Sequence, residues 1–389
     1  MTSAQASVVS AGMRLGTYEL LRTLAQGGMA DVFLARDAAG RHVAVKVLSA
    51  QRSSDLESCA LFLDEAKLAG HLHHKHIAGV LGAEVADGRH YLAMEYVHGA
   101  DLREILLAAS HAQASIPFEV SLSIVAQAAA GLDHAHRRCD ENGVPLRLVH
   151  RDVSLSNIMV GHDGVVKIVD FGIARSTMST VHTSPGIVRG KASYMSPEQC
   201  MGDKVDHLTD VFALGVVLYE LTTGARCFHG KTDFERMLSV VRGDYIPPSD
   251  LVADYPPELE QIVRTALASD RKQRFPSCAA MIEALERVMA ARGWTGGAAA
   301  IQLVMHSLFG DVREPWRDAA TDDAPNTEIQ ITIIPGEPTQ TLRRPRRLAA
   351  GTLSDVYNPK DWRGDDVDEA VTRGHRRLRA RASSPRLAA

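Results

Sequence analysis

The chain has 389 residues, 45% of them hydrophobic and 23% charged, and its formal net charge is −4. This length fits two ordinary domains, or one large two-lobed domain with an extension, and the apolar fraction excludes a chain that is disordered throughout. A charge so close to neutral gives no strong indication of a nucleic-acid partner. The longest apolar run, residues 211–219, is far shorter than the roughly 20 residues that cross a membrane, so no transmembrane segment is predicted.

The cysteines and the N-terminus predict a cytoplasmic location. Five cysteines are widely scattered and contain no C-x-x-C pair, which argues against a disulfide framework and suits a reducing compartment. The first residues lack the basic start and apolar core of a signal peptide.

The N-terminal part, up to about residue 97, is predicted to be rich in β-structure. Alternation of apolar and polar residues between turn residues predicts strands at 18–24, 31–35, 42–48, 80–85 and 90–96. The last two strands flank residues 86–89, a plausible hairpin turn. Leucines at helical spacing predict one helix over residues 56–72.

From about residue 101 to residue 293 the pattern becomes helical. Residues 121–138 and 208–222 carry the strongest helical patterns, and 277–291 follows with Ser277 as its expected N-cap. A small sheet followed by a helical part indicates an α+β fold with its joint near residues 97–99. Residues 298–309 favour one more helix, and the Pro-, Asp-, Thr- and Arg-rich stretch 311–389 is expected to be mostly disordered.

Two features in the N-terminal part suggest phosphate binding. Gly27 and Gly28 lie between the first two predicted strands, where glycine lets backbone amides approach a polyphosphate closely, although a glycine pair is more often just a turn. Lys46 lies on a mainly apolar strand, where its charge is costly to bury unless it is paired. Glu65, in the following helix, is the candidate partner.

A more specific arrangement of acids and an amide follows in the helical part. Asp152 and Asn157 are five residues apart, and Asp170 opens the triplet Asp170-Phe171-Gly172 after a predicted apolar strand at 165–169. Two carboxylates and an amide at one point can accept a hydroxyl proton and hold Mg²⁺ against phosphate oxygens. Each triplet could occur by chance, but the ordered set at these distances would rarely arise in a protein that lacks this chemistry.

These motifs resemble those of the Hanks-type (eukaryotic-like) bacterial serine/threonine protein kinases over roughly residues 14–290. The resemblance implies a bilobal protein-kinase fold with a β-rich N-lobe (14–97) and a helical C-lobe (98–290), followed by a possible additional helix within 291–310. It implies an enzyme of intracellular signalling that uses ATP and Mg²⁺ to transfer the γ-phosphate to serine or threonine residues of protein substrates.

The resemblance also assigns roles to individual residues. Asp152 matches the catalytic base, and Asn157 and Asp170 match the Mg²⁺ ligands. In the nucleotide site, Gly27 and Gly28 match the Gly-rich loop, Lys46 the phosphate-binding lysine and Glu65 its partner. Met94 falls at the gatekeeper, and Glu95 and Val97 fall at the hinge, whose backbone meets adenine in the family. Asp101 falls at the ribose contact, and the residues that match those around adenine are Val32, Ala44 and Met159.

Further family positions predict structural contacts. Glu198 would pair with Arg274, and Asp210 would hold the backbone of the catalytic loop, residues 149–157. His150 would stack on Phe171.

The chain departs from the family pattern at several positions. Ala25 and Ala30 replace two glycines of the Gly-rich loop, Ser154 stands where the family usually has a catalytic-loop lysine, and Lys191 stands where it usually has a threonine. One hypothesis is that the last two groups have exchanged places, so that Lys191 reaches Asp152 and the γ-phosphate while Ser154 hydrogen-bonds the base. The alternative is that Lys191 points to solvent.

Two other functions compete with an active protein kinase. A pseudokinase acting as a scaffold or nucleotide-binding module is supported only by the alanines of the loop and Ser154. Phosphorylation of a small molecule is disfavoured by the long segment between Gly172 and Ser196, which resembles an activation loop for protein substrates. This segment is expected to be autophosphorylated at Thr180, Thr183 or Ser184, with Arg151 receiving the phosphate.

Overall fold

The computed structural model describes residues 9–27, 30–53, 55–140, 142–171 and 191–312, with the backbone alone at residues 50, 51, 56, 57, 65 and 191. Several predictions therefore lie outside the described residues: Gly28, the phosphorylation sites Thr180, Thr183 and Ser184, the tail beyond residue 312, and the side chains of Glu65 and Lys191.

The N-terminal part is built on one antiparallel sheet. Its six strands are β1 (Arg14–Leu15), β2 (Tyr18–Ala25), β3 (Ala30–Arg36), β4 (His42–Leu48), β5 (Val80–Ala86) and β6 (Arg89–Glu95). Their spatial order is β1-β2-β3-β4-β6-β5. The five strands expected from the sequence match β2 to β6 to within one residue. The β5–β6 hairpin is confirmed: Asp87 and Gly88 have positive φ angles of 52° and 72°, as a two-residue turn of this kind requires.

The C-terminal part is helical, which confirms the α+β bilobal fold. Two helices belong to the N-terminal part, α1 (Ala50–Ser53) and α2 (Leu56–Ala69). The others are α3 (Leu102–His111), α4 (Phe118–His136), α5 (Pro197–Met201), α6 (Leu208–Thr223), α7 (Asp233–Arg242), α8 (Pro248–Leu251), α9 (Pro257–Ala266), α10 (Cys278–Arg292) and α11 (Ala298–Phe309). The predicted cap is confirmed, because the Ser277 side chain accepts a hydrogen bond from the Ala280 amide at the start of α10.

A small second sheet lies at the joint between the two parts. It consists of β7 (Gly99–Asp101), β8 (Ile158–Gly161) and β9 (Val166–Ile168), with β8 in the centre. The loop after α2 runs beside β9, since the Ile168 amide donates to His76 O and the Ala78 amide donates to Ile168 O, at 3.0 and 2.9 Å. These bonds tie the N-terminal part to the strand that leads into Asp170.

Helix α6 is the centre of the main hydrophobic core. Every residue from Thr209 to Thr223 is buried. Helices α4 and α9 pack against α6, and α10 packs against both α4 and α9. A helix that is apolar on all sides has to be enclosed by other elements. In the part of the chain that the structure describes, no helix is both long and apolar enough to cross a membrane.

Candidate active site

The backbone of the catalytic loop is held by Asp210, which lies in the first turn of α6. One carboxylate oxygen of Asp210 accepts the His150 amide at 2.8 Å, and the other accepts the Arg151 amide at 2.9 Å. His136 Nε2 lies 2.7 Å from the first oxygen. These bonds hold Arg151 at φ +64°, a conformation that costs energy for a residue other than glycine. The predicted contact of Asp210 with the loop backbone is confirmed.

The charge on Asp210 is stabilised although its side chain is fully buried. Burial alone would raise the pKa of Asp210, but the hydrogen bond and charge of His136 and the hydrogen bond from the His150 backbone amide together lower it. Asp210 therefore remains a carboxylate that can accept from two amides at once.

Asn157 fixes the carboxylate of Asp152. The Asn157 side-chain nitrogen donates to Asp152 O at 2.7 Å and to Asp152 Oδ2 at 3.1 Å. Asn157 as a whole is only 6% exposed and thus well confined. Because the nitrogen faces Asp152, the side-chain oxygen is the atom of Asn157 that can face a cation.

His150 supports this arrangement without taking part in chemistry. The Asp152 amide donates to His150 Nδ1 at 3.2 Å, and His150 Nε2 lies 3.1 Å from Val169 O, which requires a proton on Nε2. Burial lowers the pKa of His150, in agreement with a neutral ring. The ring contacts Phe171 at a centroid distance of 4.6 Å with the two planes tilted by 48°, so the predicted pair is in contact but not stacked in parallel.

Lys46 reaches the start of the Asp170-Phe171-Gly172 triplet. Its Nζ lies 3.0 Å from Asp170 Oδ1, and the lysine side chain is only 13% exposed. The sequence interpretation named Glu65 as the partner of Lys46; the Glu65 side chain lies outside the described part, so that pair stays a prediction. The Lys46–Asp170 pair was missed because the two residues are 124 positions apart, and no local pattern records such a contact.

The catalytic loop and the Asp170 segment are joined by the backbone. The Val169 amide donates to Asn157 O at 3.0 Å, one residue before Asp170. Asp170 itself has a φ of +54°. Four predicted residues are thereby brought together in one connected group: Lys46 pairs with Asp170, whose neighbour is bonded to Asn157, which in turn holds Asp152.

The residues predicted to surround adenine come from adjacent strands. Ala44 lies opposite Met94 across β4 and β6, and both are buried in a cluster that the half-buried Val32 joins. Met159, on β8, lies opposite Asp101 on β7. The predicted adenine contacts therefore come from the large sheet, through Val32 and Ala44, and from the small sheet, through Met159.

Gly27 occupies a position with no room for a side chain. A Cβ atom there would lie 2.9 Å from Ala30 O, closer than real Cβ contacts. The Gly27 amide donates to Asp31 Oδ1 at 3.3 Å, a contact that the sequence did not predict. The backbone of Gly27 therefore lies close to that of Ala30, within the loop that the resemblance assigns to phosphate binding.

Asp101 ends the hinge and begins α3. Its carboxylate accepts the Glu104 amide at 2.7 Å, and Glu104 Oε2 accepts the Asp101 amide at 3.1 Å, which makes a reciprocal cap. Burial, followed by the nearby charge of Glu104, raises the pKa of Asp101 to about 6.

The Glu95 side chain ties the hinge to Lys167 and to the loop before β5. Its carboxylate oxygens lie 2.8 and 2.9 Å from Lys167 Nζ, and one of them accepts the Gly79 amide at 3.2 Å. Glu95 was predicted for its backbone at the hinge, whereas Lys167 was not predicted at all. Val97, the second predicted hinge residue, is half-buried two positions further on.

The hypothesis of an exchange between Ser154 and Lys191 is partly contradicted. Ser154 is 3% exposed, and its hydroxyl has no hydrogen-bond partner among the described residues. The predicted hydrogen bond from Ser154 to Asp152 is therefore wrong, because the buried hydroxyl makes no hydrogen bond to any residue that the structure describes. Lys191 begins a short 3₁₀ turn, Lys191–Tyr194, but its side chain lies outside the described part, so its contact with Asp152 stays a prediction.

Glu198 and Arg274 form the predicted buried ion pair. Each carboxylate oxygen accepts from one guanidinium nitrogen at 2.8 Å, and Thr209 Oγ1 donates to Glu198 Oε1 at 2.8 Å. Burial would raise the pKa of Glu198, but the hydrogen bonds and charge of Arg274 lower it to about 2. The pair fixes the segment after Lys191 to the C-lobe.

Comparison with known proteins places these features in a family. The model of the protein kinase domain matches residues 18–285. "Tyrosine-protein kinase MasK" of Myxococcus xanthus is 38% identical over 302 residues, which are 77% of this chain and 47% of that protein. "Serine/threonine-protein kinase PknB" of Mycobacterium leprae is 40% identical over 277 residues, 70% of this chain and 43% of that protein.

A solved structure shows the same fold. The PknI kinase domain of Mycobacterium tuberculosis superimposes with a TM-score of 0.56 at 27% identity, covering 72% of this chain and 99% of that one. The chain spans less than half the length of the two curated relatives named above. The match over residues 18–285, together with these bacterial relatives, shows that the chain belongs to the protein kinase family, in its Hanks-type bacterial branch.

Proposed function

We propose that the chain is a protein kinase that uses ATP and Mg²⁺ to transfer the γ-phosphate to serine and threonine residues of protein substrates. The connected group of Lys46, Asp152, Asn157 and Asp170 carries this proposal. These are the residues that a phosphoryl transfer needs for positioning and for charge. A cytoplasmic location stays a prediction.

Asp152 is positioned to take the proton of a substrate hydroxyl. Asn157 holds one of its oxygens, which fixes the rotation of the carboxylate, and Asp210 holds the backbone on its N-terminal side. A base fixed in this way loses little entropy when a hydroxyl is presented to it.

The residues present suit a magnesium ion and a nucleotide. Asp170 offers a carboxylate and Asn157 a side-chain oxygen, the hard ligands that Mg²⁺ prefers. When bound, Mg²⁺ neutralises charge on the phosphates. Lys46 supplies a compact positive charge, and Gly27, which has no room for a side chain, would present only its backbone to the phosphates. We propose that Gly27, Gly28, Val32, Ala44, Lys46, Met94, Glu95, Val97, Asp101 and Met159 bind the nucleotide, and that Glu65 orients Lys46.

Tyrosine phosphorylation is the second candidate. The M. xanthus relative is named a tyrosine kinase, and Ser154 replaces the lysine that is typical of serine/threonine kinases. Serine and threonine are favoured because other curated relatives, including the one from Clostridium perfringens, carry the serine/threonine designation.

An assay on peptides separates the candidates. The full chain is incubated with Mg²⁺, γ-labelled ATP and a peptide library in which each peptide has a single serine, threonine or tyrosine. We expect label on serine and threonine peptides. Label on tyrosine peptides alone would replace the proposed specificity with the second candidate, and nucleotide binding without any label would identify a pseudokinase.

We also propose autophosphorylation at Thr180, Thr183 or Ser184, with Arg151 as the group that receives the phosphate. Support comes from the family and from the position of Arg151 directly before Asp152. Mass spectrometry of protein incubated with ATP tests it, and fully active enzyme with an unmodified 172–190 segment would contradict it.

A further inference from the structure

Helix α11 lies beyond residue 285, where the match to the kinase domain ends, yet it is packed into the same body. Ile301 and Met305 are each 1% exposed, against helices α3 and α4. The connection that precedes α11 is equally tight: Trp294 stacks on Phe118 at 5.7 Å, and the Gly297 amide donates to Ser123 Oγ at 2.9 Å.

Both ends of α11 contact the turn between β8 and β9, residues 161–164. At the N-terminal end, Gly164 lies against the backbone of Ala298, so that a Cβ on Gly164 would collide with Ala298 O. Gly164 has a φ of +77°, which also disfavours any side chain. At the C-terminal end, the ring of Phe309 packs edge-on against His162, with centroids 6.3 Å apart.

The same turn is bonded to the hinge. The His162 amide donates to His98 O at 3.0 Å, and the two imidazole rings are 4.8 Å apart. His98 in turn stacks on Tyr96 at 6.4 Å. Contacts therefore run without a break from Phe309 through His162 and His98 to Tyr96. Tyr96 lies in the chain between the predicted hinge residues Glu95 and Val97.

Besides the bonds of Glu95 to Lys167 and Gly79, the hinge has little backbone pairing. Strand β7, which continues it to Asp101, has only three residues and pairs on one side with β8. A segment with such short backbone pairing depends on packed side chains to stay fixed. A ligand that binds a segment fixed in advance loses less conformational entropy on binding.

We propose that α11 is a brace for the nucleotide site, and that Phe309, His162 and Gly164 are positioning residues that fix the hinge through the turn at 161–164. The inference rests on the proposed function only in taking the hinge as a nucleotide contact. It extends the functional domain past residue 285 to the end of α11.

The test uses the full chain with Phe309→Ala and Gly164→Ala, and with Leu303→Ala as the matched control. Leu303 is on the same helix but 71% exposed. Three quantities are measured: the Kd of Mg²⁺-ADP by calorimetry, KM for ATP together with kcat, and backbone amide exchange of residues 96–101 without nucleotide.

We expect both brace variants to raise Kd and KM about threefold to tenfold, with kcat within about twofold of the wild type, and to accelerate exchange at 96–101. Leu303→Ala should leave all three unchanged. Wild-type Kd and wild-type exchange in folded Phe309→Ala would overturn the brace, and this variant decides the matter if Gly164→Ala does not fold. A wild-type protein that binds no nucleotide would instead overturn the proposed function.

Discussion

Lys46 shows how far single residues could be assigned from the sequence. Its identity as a paired lysine on an apolar strand was predictable, because a buried ammonium needs a partner. Its observed partner, Asp170, was not, because the contact joins residues 124 positions apart and depends on how the lobes meet. Asp152 and Asn157 were predictable as a pair, since five residues of one loop separate them.

Replacement of Lys46 by methionine should abolish phosphoryl transfer without unfolding the protein. Methionine fills a similar volume but gives no charge to the phosphates or to Asp170. We expect kcat/KM to fall by more than about tenfold, equivalent to about 1.4 kcal/mol, at an unchanged melting temperature. Lys67→Met is the control, because Lys67 is on α2 with a side chain that is 75% exposed. Activity of Lys46→Met above a tenth of the wild-type rate would remove the assigned role.

Lys191 is predicted to supply charge beside Asp152 in place of the missing lysine at position 154. Replacement of Lys191 by threonine should then lower kcat by about tenfold or more, and adding Ser154→Lys should restore part of it. The Ser154 hydroxyl makes no hydrogen bond within the described structure, so Ser154→Ala should have little effect on kcat and serves as a control. An unchanged kcat in Lys191→Thr would end the hypothesis.

Asp101 should make nucleotide binding depend on pH in a defined direction. Burial raises its pKa to about 6, so it is protonated below that pH and ionised above it. A carboxylate accepts ribose hydroxyl hydrogens better than a carboxylic acid does. KM for ATP should therefore rise as the pH falls through about 6, with titration of the nucleotide itself superimposed.

Asp101→Asn provides the matched control for this pH effect. Asparagine is also a good N-cap, so α3 keeps its start while the titrating group is lost. The ratio of the two KM values, variant over wild type, should fall toward one as the pH is lowered from 7.5 to 5.5, values chosen about 1.5 above and 0.5 below that pKa. A ratio that does not change with pH would show that Asp101 does not contact the ribose.

At the level of elements, length decided what could be predicted. Strands β2 to β6 and helices α4, α6, α10 and α11 are long enough for the repeat of their apolar residues to be recognised in the sequence. Strands β7 and β8 have three and four residues and were not predicted, because so few positions show no alternation. Of the small sheet that supports the hinge, only β9 was predicted, as an apolar strand over residues 165–169.

The Glu198–Arg274 pair fixes α5 against the C-lobe, and its loss should destabilise the protein strongly. Arg274→Met leaves a buried carboxylate without its partner, which costs about 3–5 kcal/mol of unfolding free energy. The double variant Glu198→Met/Arg274→Met should recover most of that loss. Urea denaturation followed by circular dichroism measures both.

Arg36→Met is the control for this pair. Arg36 binds Glu19 at the surface, where both side chains are more than 40% exposed, and its loss should cost below about 1 kcal/mol. Equal losses in Arg36→Met and Arg274→Met would contradict the account of the buried pair.

At the level of the whole molecule, the two-lobed architecture was predictable because composition and periodicity change together near residue 97. The link from α11 to the hinge could not be predicted. The helix itself was predicted from the sequence, but nothing in the sequence of the turn at 161–164 indicates that a distant helix packs on it. The same limit applies to the Glu95–Lys167 pair across the rear of the lobe joint.

The central claim is that Asp152 acts as the base of a phosphoryl transfer, and Asp152→Asn tests it most directly. Asparagine keeps the shape and can still accept from Asn157, but it cannot take a proton. We expect Kd for Mg²⁺-ADP within about twofold of the wild type and a kcat lower by about 10²- to 10⁴-fold, measured with γ-labelled ATP and a protein substrate. Phosphorylation by Asp152→Asn at the wild-type rate would contradict the account.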